Sequence, residues 1–319
     1  MRFNICTNIN NGVVLERDYK LLREILEGMG HSVEGVHYKR IDSGSPAADV
    51  NIFLEVLEIA LFPKAKEQWL IPNPEWWAPW DHANVINRVD HFLCKTHDAV
   101  DIFKNLYPEL ATRVHYLGFE SRDLYDPSVP RERKFLHVFG QSRYKNTPSV
   151  CYAFAKFEAD EKRLPLTVVG AYPEDIQFAR DHKNVTYIQR ASEAELKRLM
   201  NSHLFHVDPS GYEGWGHYIH EGMSCGAVIA TTDHPPMNEI DTPKNLRIPY
   251  QRLVPELAAQ RAMVVAHPVW DAVKKMNALK DSEIAEIGLQ ARQAFIQERF
   301  QFRERLKEFI GGRTRGFQP

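Results

Sequence analysis

The sequence predicts an α/β fold made of two Rossmann-like domains, each with a parallel sheet. Short apolar runs typical of buried strands alternate with amphipathic stretches typical of helices along most of the chain. A chain of 319 residues is longer than a domain with a single hydrophobic core usually is, and it suits two domains of about 150 residues each. The strands and helices of the first half are separated from those of the second half by residues 120–134, a polar stretch without periodicity that predicts a linker. We therefore expect domains over 1–125 and 126–295, followed by a last helix over 296–319.

The first domain begins with an alternation of strand, loop, helix and strand. Residues 14–29 have helical periodicity, which Gly30 ends. This order is the opening of a Rossmann-like half, in which ligands gather beyond the carboxyl ends of the strands. The predicted strands lie at 3–6, 31–36, 49–55, 89–96 and 114–119, with one more beside the Trp- and Pro-rich stretch 69–80.

The second domain repeats the alternation. A glycine-containing loop, 140–147, follows its first strand, and Ser192 with Glu195 forms a capping box at the start of a later helix. Residues 252–319 have an overall helical pattern. The predicted strands lie at 135–139, 166–170, 184–190, 204–207 and 227–230.

Charge and composition narrow the function classes. A net charge of −2 gives no electrostatic reason to expect binding to nucleic acids or anionic membranes. The four scattered cysteines, with no C-x-x-C pair, favour buried thiols over disulfides or a metal site. The N-terminus runs into a strand without a signal peptide, and no apolar run has membrane-spanning length. We expect a protein of the reducing cytoplasm, with no transmembrane segment.

The most informative stretch is 208–230, where a buried strand stops at Pro209 and a glycine-rich turn leads into a helix. Gly214 and Gly216 let the backbone approach a ligand, and the helix N-terminus offers free N–H groups to an anion. Glu213 and Glu221 bracket this turn with acceptor oxygens, which suit sugar hydroxyls. An ordinary strand, turn and helix with surface glutamates would carry the same Gly-x-Gly.

The same stretch resembles the E-x7-E signature of the retaining GT-B glycosyltransferases of family 4, usually worded P-S-x-x-E-G-F-G-x-x-x-x-E-A-M-A-C-G-x-P-V. The matching residues are Pro209, Ser210, Glu213, Gly214, Trp215 in place of Phe, Gly216, Glu221, Met223, Cys225, Gly226 and Val228. The resemblance implies a GT-B fold, with two Rossmann-like domains facing across a cleft and a C-terminal helix that crosses back to the N-terminal domain.

The resemblance also implies a donor site in the second domain. The family loop G-R-x-x-x-x-K-G binds the donor diphosphate, and Lys145 matches its lysine. Gln141 stands where the arginine is usual, so Arg143 is the candidate for the second charge. With Glu213 and Lys145 as the catalytic pair, the donor-binding candidates are Glu221, Arg143, Gly216, His217, Tyr218, Gly170, Gln189 and Arg190.

The first domain departs from the family at two points. Asn10, Asn11 and Gly12 replace the usual Gly-Gly loop, and Asn73 stands where many members carry a histidine. The indoles of Trp76 and its neighbour could pack on the domain or stack on a sugar ring or base. The acceptor-side candidates are Gly12, Glu55, Asn73, Glu75 and Trp76.

What the resemblance implies is transfer of a sugar from a UDP- or GDP-linked donor to a hydroxyl acceptor, with retention at the anomeric carbon. Lys145 and the helix N-terminus would take the place of a metal on the diphosphate, so neither a metal nor another cofactor is expected. Glu213 would hold donor sugar hydroxyls, and Glu221 would accept from the ribose. The favoured step is a front-face displacement in which the departing phosphate takes the acceptor's proton.

Three alternatives remain open at this point. The acceptor could be a hydroxymethylated base in phage-type DNA, although the near-neutral charge opposes it. A nucleotide-sugar epimerase of GT-B fold would need no separate acceptor. A binding module that has lost catalysis would not keep Glu213, Lys145 and Glu221. The acceptor itself is open among glycans, lipid-linked sugars, small molecules, proteins and modified DNA bases.

Overall fold

The computed structural model describes residues 1–9, 14–38, 47–156, 164–177 and 182–314. The chain divides into two compact units, the first formed by 1–119, 256–259 and 300–319, the second by 120–255 and 260–299. Gly12, one of the acceptor-side candidates, lies outside the described residues.

The first unit contains a six-stranded parallel sheet. Its strands β1 to β6 lie in the order β2-β1-β3-β4-β5-β6, so the chain leaves β1 toward one side and returns to the other side with β3. Both faces of the central strands are buried, mostly by apolar residues, as is usual for parallel sheets, and Asn4, Asn51 and Gln68 form a buried polar row across β1, β3 and β4. The strands are β1 (Arg2–Thr7), β2 (Ser32–His37), β3 (Ala48–Leu54), β4 (Ala65–Ile71), β5 (His91–Cys94) and β6 (Val114–Tyr116).

Among the described residues before the second unit, the helices α1 (Val14–Gly28), the short α2 (Pro79–His82) and α3 (His97–Leu106) accompany this sheet. Thr96 caps α3, because its hydroxyl accepts a hydrogen bond of 3.1 Å from the N–H of Ala99.

The second unit contains a five-stranded parallel sheet in the order β11-β10-β7-β8-β9. The rings of Phe135 and Phe205, on the neighbouring strands β7 and β10, stack with centroids 4.8 Å apart at its centre. The strands are β7 (Glu132–Gly140), β8 (Leu166–Gly170), β9 (Val185–Ile188), β10 (His203–Asp208) and β11 (Val228–Thr231); the helices are α4 (Thr147–Lys156), α5 (Glu193–Ser202), α6 (His217–Ser224), α7 (Ala266–Ala278) and α8 (Asp281–Thr314). The predicted pair of parallel-sheet Rossmann-like domains is confirmed.

The helical prediction for 252–319 is wrong at its start. Two short strands, β12 (Arg252–Glu256) and β13 (Ala259–Met263), form a separate two-stranded sheet before α7 begins. Leu257, between them, has a left-handed backbone with φ of 51°, which turns the chain. Pro255 lacks the N–H that a helix interior needs, and this was the signal against a helix here.

The segment predicted as a linker is ordered structure of the second unit. Glu120, Ser121 and Leu124 are buried, and the N–H of Leu124 donates to Ser224 Oγ at 3.0 Å. β7 starts at Glu132. The polar composition of 120–131 therefore reflects hydrogen bonding to the domain, which sequence periodicity does not report.

All four cysteines lie among the described residues as buried thiols, and none of them forms a disulfide. Burial raises the pKa of the Cys225 thiol to about 12. The prediction of buried thiols is confirmed. Within the described ranges, no helix has both the length and the apolar character needed to cross a membrane.

Candidate functional site

The loops after two neighbouring strands of the second sheet bring the predicted catalytic residues together. β7 and β10 lie side by side, so the segments that leave their carboxyl ends meet at one edge of the sheet. Lys145 ends a 3-10 turn after β7, and Glu213 lies in the loop after β10. Their side chains form an ion pair and are 9% and 12% exposed. Sequence reasoning therefore found two residues that are 68 positions apart but in contact.

Asn146 fastens the turn that carries Lys145. Its φ of 49° is left-handed, a conformation that asparagine tolerates better than most residues. Its side-chain Nδ2 donates to the carbonyl oxygens of Pro209 at 2.7 Å and Ala262 at 3.2 Å. Because these bonds join the turn to the loop after β10 and to β13, Lys145 is held in place by backbone rather than by its own flexible stem.

Two hydroxyl groups complete the arrangement, and we call Lys145, Ser210, Glu213 and Tyr218 the Lys145 cluster. Ser210 Oγ donates to Glu213 Oε1, so the hydroxyl of Tyr218, 2.6 Å from Ser210 Oγ, acts as donor to the serine. Lys145 Nζ lies 4.0 Å from the centroid of the Tyr218 ring, a cation–π contact. Burial raises the pKa of Tyr218 well above its usual value, and the charge of Glu213 adds to this. Tyr218 is therefore a neutral hydrogen-bond donor.

Asp208, the last residue of β10, is a buried carboxyl group that the sequence analysis did not single out. Neither of its oxygens forms a hydrogen bond with the described residues. Burial raises its pKa well above the usual value; Lys145 opposes the shift and Glu213 adds to it. A carboxyl group in this environment is held in its neutral form.

His137, on β7, lies beside Asp208 with Nδ1 3.9 Å from Oδ1. Nδ1 donates to the carbonyl of Val207 at 2.7 Å, and Nε2 lies 2.9 Å from the Thr147 hydroxyl, from which it accepts. Burial lowers the pKa of His137 to about 4, so the ring is neutral near pH 7.

The start of α6 is fixed by a glycine and by an aromatic stack. Gly216 has a φ of 82°, which L-residues rarely adopt, so the turn requires glycine at this position. The ring of Trp215 stacks on His220 with centroids 4.2 Å apart, and its Nε1 donates to Ser121 Oγ at 3.1 Å. The same Ser121 Oγ lies 2.9 Å from Nδ1 of His217, the first residue of the helix. His217 is thus oriented by a serine from the segment 120–131.

Glu221, the second glutamate of the signature, is buried and paired with an arginine. Arg122 Nε donates to Glu221 Oε1 at 2.8 Å, while its Nη1 donates to the exposed Glu193 at 3.1 Å. A hydrogen bond from a charged donor of this kind offsets part of the desolvation of a buried carboxylate. Only one of the two oxygens of Glu221 is used by Arg122.

Ser121 and Arg122 are the residues that sequence reasoning missed at this site. They lie 96 and 99 positions before the side chains that they bind, in a stretch with neither strand nor helix periodicity. Two polar residues immediately after an apolar strand were the only local signal.

Two further donor-binding candidates, Arg143 after β7 and Gly170 at the end of β8, make contacts outside the Lys145 cluster. Arg143 forms an ion pair with Glu174, and its guanidinium carbon lies 4.6 Å from the centroid of the Tyr172 ring. Gly170 ends β8, and a Cβ atom there would lie 2.5 Å from the ring of Phe139. This position therefore requires glycine for packing.

Gln189 and Arg190 follow the edge strand β9 and are exposed. Their backbone leads directly to Ser192, whose hydroxyl accepts from Glu195 N at 3.2 Å and caps α5. Ser192 is the N-cap of the helix as predicted, with Glu195 three residues later.

In the first domain, the predicted acceptor-side residues lie beyond the ends of β3 and β4. Asn73 Nδ2 donates to Glu55 Oε1, and Glu75 is buried nearby in sequence. The pKa of Glu55 is raised by burial, opposed by Lys95 and assisted by Asp18. Lys95 Nζ and Asp18 Oδ2, 3.0 Å apart, form a buried ion pair.

The structure separates the two tryptophans that the sequence left undecided. Trp77 is 1% exposed; its Nε1 donates to Tyr107 OH at 3.0 Å and its ring stacks on His82. Trp76 is 56% exposed. Trp77 is therefore part of the core, and Trp76 is the indole that a ligand can reach.

The described parts of the chain contain no group of three His, Cys, Asp or Glu side chains arranged to hold a metal ion.

The second unit, which carries the Lys145 cluster, matches a known family. Residues 126–248 match the family described as Glycosyl transferases group 1. This part of the chain is thus similar to glycosyl transferases of group 1, and together with the fold the match supports a glycosyltransferase. No curated protein sequence matches the chain.

Solved structures of low sequence identity share the fold. A glycosyltransferase from Rickettsia africae has a TM-score of 0.72 and 11% identity, with 97% of each chain covered. A sucrose-phosphate synthase from Thermosynechococcus elongatus has a TM-score of 0.72 and 10% identity, with 99% of this chain and 100% of that chain covered. The pneumococcal O-GlcNAc transferase GtfA, in complex with UDP and GlcNAc, has a TM-score of 0.59 and 11% identity over 92% of this chain and 60% of its own.

Proposed function

We propose that this protein is a retaining, metal-independent glycosyltransferase that moves a sugar from a UDP- or GDP-linked donor to a hydroxyl acceptor. The observation that carries the proposal is the Lys145 cluster, an ammonium and a carboxylate held side by side in a nearly buried site. A diphosphate leaving group gains negative charge and needs a fixed cation, whereas a sugar brings hydroxyl donors. The ion pair offers one partner for each.

In the proposed donor complex, the ammonium of Lys145 turns to the diphosphate and Glu213 accepts from hydroxyls of the donor sugar. Ser210 and Tyr218 keep Glu213 oriented while its partner changes. Glu221 accepts from the ribose hydroxyls through the oxygen that Arg122 leaves available. The other proposed donor-binding residues are Gly216 and His217 at the diphosphate and Arg143, Gly170, Gln189 and Arg190 toward the nucleoside.

The proposed step is a front-face displacement. The bond between the anomeric carbon and the donor's phosphate oxygen breaks, and its electron pair stays on that oxygen. The acceptor oxygen forms its bond on the same face of the anomeric carbon, and its proton passes to the departing phosphate. Lys145 stabilises the charge that develops on the phosphate, which is the largest contribution an enzyme site usually makes. Glu213 is already engaged by Lys145 and Ser210, which supports a role in holding the sugar rather than in attacking it.

The acceptor is proposed to bind the first domain, near Glu55, Asn73, Glu75 and Trp76, with the loop of Gly12 as a further contact. Two observations support this: these residues follow the carboxyl ends of parallel strands, and Trp76 is an exposed indole. We also propose that the enzyme works in the cytoplasm, which the four buried thiols support.

Donor hydrolysis followed by ¹H NMR tests the proposal without knowledge of the acceptor. The full chain is incubated with α-linked UDP- and GDP-sugars in EDTA, and the anomeric signal of the released sugar is followed before it equilibrates. We expect release of the α-anomer at an EDTA-independent rate, and loss of that release in Lys145→Gln and Glu213→Gln. Lys134→Gln, which removes a partly exposed lysine of β7, is the matched control and should keep the full rate.

First release of the β-anomer would contradict retention, and a requirement for a divalent cation would contradict metal independence. Conversion of the donor to a different nucleotide sugar, without release, would assign the site to an epimerase instead.

A further inference from the structure

The strongest unexplained feature outside the donor site is a set of polar groups at the carboxyl edge of the first sheet. In the register of the sheet, Cys6 pairs with Phe53, Leu54 with Ile71, and Leu70 with Phe92. The residues that follow β1, β3, β4 and β5 therefore lie in one layer beyond the strand ends. This layer includes the point between β1 and β3 where the chain changes direction along the sheet, the usual ligand position of open α/β folds. We call Thr7, Glu55, Asn73 and Lys95 the edge cluster.

Two atoms of the edge cluster are buried without a hydrogen bond. Thr7 Oγ1 and Asn73 Oδ1 belong to side chains that are at least nine-tenths buried, and neither finds a partner among the described residues. Buried polar atoms in native proteins are almost always paired, and those that are not need an explanation. Both atoms can accept a hydrogen bond. A ligand that donates hydrogen bonds would satisfy both.

The backbone of Glu55 is a second sign of a built site. Its φ of 67° is left-handed, a strained conformation for a glutamate, yet its N–H bonds to Ile71 O at 3.1 Å. Strain of this kind is kept where it aims a side chain at a ligand. Here it points the carboxyl group toward Asn73, whose Nδ2 donates to it.

The charges of the edge cluster decide which ligands fit. The ammonium of Lys95 is already neutralised by Asp18, 3.0 Å away, and both side chains are under 5% exposed. Glu55 adds a second carboxyl group beside this pair, so the carboxyl groups of Asp18 and Glu55 accompany the ammonium of Lys95 at this edge. Acceptor oxygens and an acidic excess favour hydroxyl donors and disfavour phosphates.

We propose that the edge cluster binds the hydroxyl groups of a neutral sugar and excludes phosphate-bearing acceptors, including nucleic acid. Its role as the acceptor site rests on the function proposed above. Glu55 and the two orphaned oxygens of Thr7 and Asn73 accept from ring hydroxyls, and Trp76, three residues after Asn73, offers its exposed face to the ring.

Saturation-transfer NMR on the full chain tests this without donor turnover. The probes are glucose, galactose and N-acetylglucosamine, the 6-phosphate of each, and a single-stranded oligonucleotide. Only the part of the binding that Glu55→Gln or Thr7→Val changes is scored, so that phosphate captured at Lys145 is not counted. Glu109→Gln, an exposed glutamate of the same unit, is the matched control.

We expect at least one neutral sugar to bind at least about tenfold tighter than its 6-phosphate. Glu55→Gln should weaken the binding of that sugar and reduce the ratio of the two affinities. Thr7→Val should also weaken the binding of this sugar, whereas Glu109→Gln should leave its affinity unchanged. The proposal is overturned if no neutral sugar shows Glu55-dependent binding, or if a sugar phosphate or the oligonucleotide binds there as tightly. Failure of the donor hydrolysis assay with intact Glu55-dependent sugar binding would instead remove the proposed function and leave this site in place.

Discussion

Arg122 Nε lies 2.8 Å from Oε1 of Glu221, so the second glutamate of the signature is held by a residue 99 positions earlier in the chain. Glu221 is almost fully buried, whereas Arg122 reaches partly into solvent. A buried carboxylate that loses its cation is costly, because its desolvation is no longer offset. Arg122 therefore positions Glu221 and offsets the desolvation of its carboxylate.

We expect Arg122→Gln to lower the free energy of unfolding by about 1–3 kcal/mol and to raise the donor KM more than it lowers kcat. Arg122→Lys should recover part of the free energy of unfolding and part of the donor affinity, because the positive charge remains but the geometry changes. Lys274→Gln is the control: its ion pair with Asp271 is exposed and should be worth less than about 1 kcal/mol. Urea unfolding and donor kinetics measure the two effects, and equal losses in Arg122→Gln and Lys274→Gln would contradict the positioning role.

The adjacent tryptophans should separate stability from binding. Trp77→Ala removes a fully buried ring and its bond to Tyr107, so we expect a loss of about 3–5 kcal/mol of unfolding free energy. Trp76→Ala should change stability by less than about 1 kcal/mol, since its side chain is exposed, but should raise the acceptor KM. Denaturant unfolding and acceptor titration are the measurements, and unaltered acceptor kinetics in Trp76→Ala would remove this indole from the proposed acceptor site.

Three buried histidines of the second unit predict acid lability. Burial lowers the pKa of His137 and His203 to about 4 and that of His206 to about 3. Each folded pKa lies below the unfolded value of about 6.5, so the unfolded chain binds more protons as the pH falls. The stability from each neutral histidine is present above pH 6.5 and is lost as the pH falls toward 4, by up to about 1.4 kcal/mol per pH unit.

Urea unfolding between pH 7.5 and 4.5 checks this expectation. His203→Gln should make the pH dependence less steep, whatever it does to stability at pH 7.5. His267→Gln, at an exposed position, should leave the dependence as it is. Stability that stays constant below pH 6 would show that these rings are not held neutral.

Asp208 predicts the opposite dependence. Its folded pKa is raised by burial, so the folded state keeps a proton that the unfolded state releases. Its contribution is therefore present below its unfolded pKa of about 3.9 and is lost as the pH rises toward the folded pKa. We expect Asp208→Asn, which cannot lose a proton, to gain stability relative to wild type as the pH rises from 4 to 8. Parallel unfolding curves of the two proteins across that range would mean that Asp208 is not protonated in the folded state.

The sequence predicted what depends on local pattern. Strand and helix periodicity gave both parallel sheets, and the spacing of Glu213, Gly216 and Glu221 within one strand–turn–helix unit placed them around the start of α6. Lys145 could be assigned because it lies between a strand and a helix, in a loop that resembles the family's diphosphate-binding loop. The ion pair between Lys145 and Glu213 is the contact that follows from that arrangement.

Other parts of the site depend on contacts that no local pattern reports. Arg122 and Ser121 act on side chains almost a hundred positions away, and Asp208 is distinguished only by being buried without a partner. Trp76 and Trp77 are identical in sequence terms, and only packing on Tyr107 and His82 makes one of them core. The hairpin of β12 and β13 was hidden by apolar spacing that also fits a helix, although Pro255 argued against it.

The proposed function depends on one claim, that the second domain binds a nucleoside diphosphate through Lys145 without a metal. Isothermal titration of UDP and GDP into the full chain in EDTA tests it most directly, with Lys145→Gln and Lys134→Gln compared after both are shown to be folded. We expect one of the two nucleotides to bind wild type and Lys134→Gln equally, and Lys145→Gln at least about tenfold more weakly. Equal affinity in Lys145→Gln, or no binding of either nucleotide to the wild type, would contradict the claim.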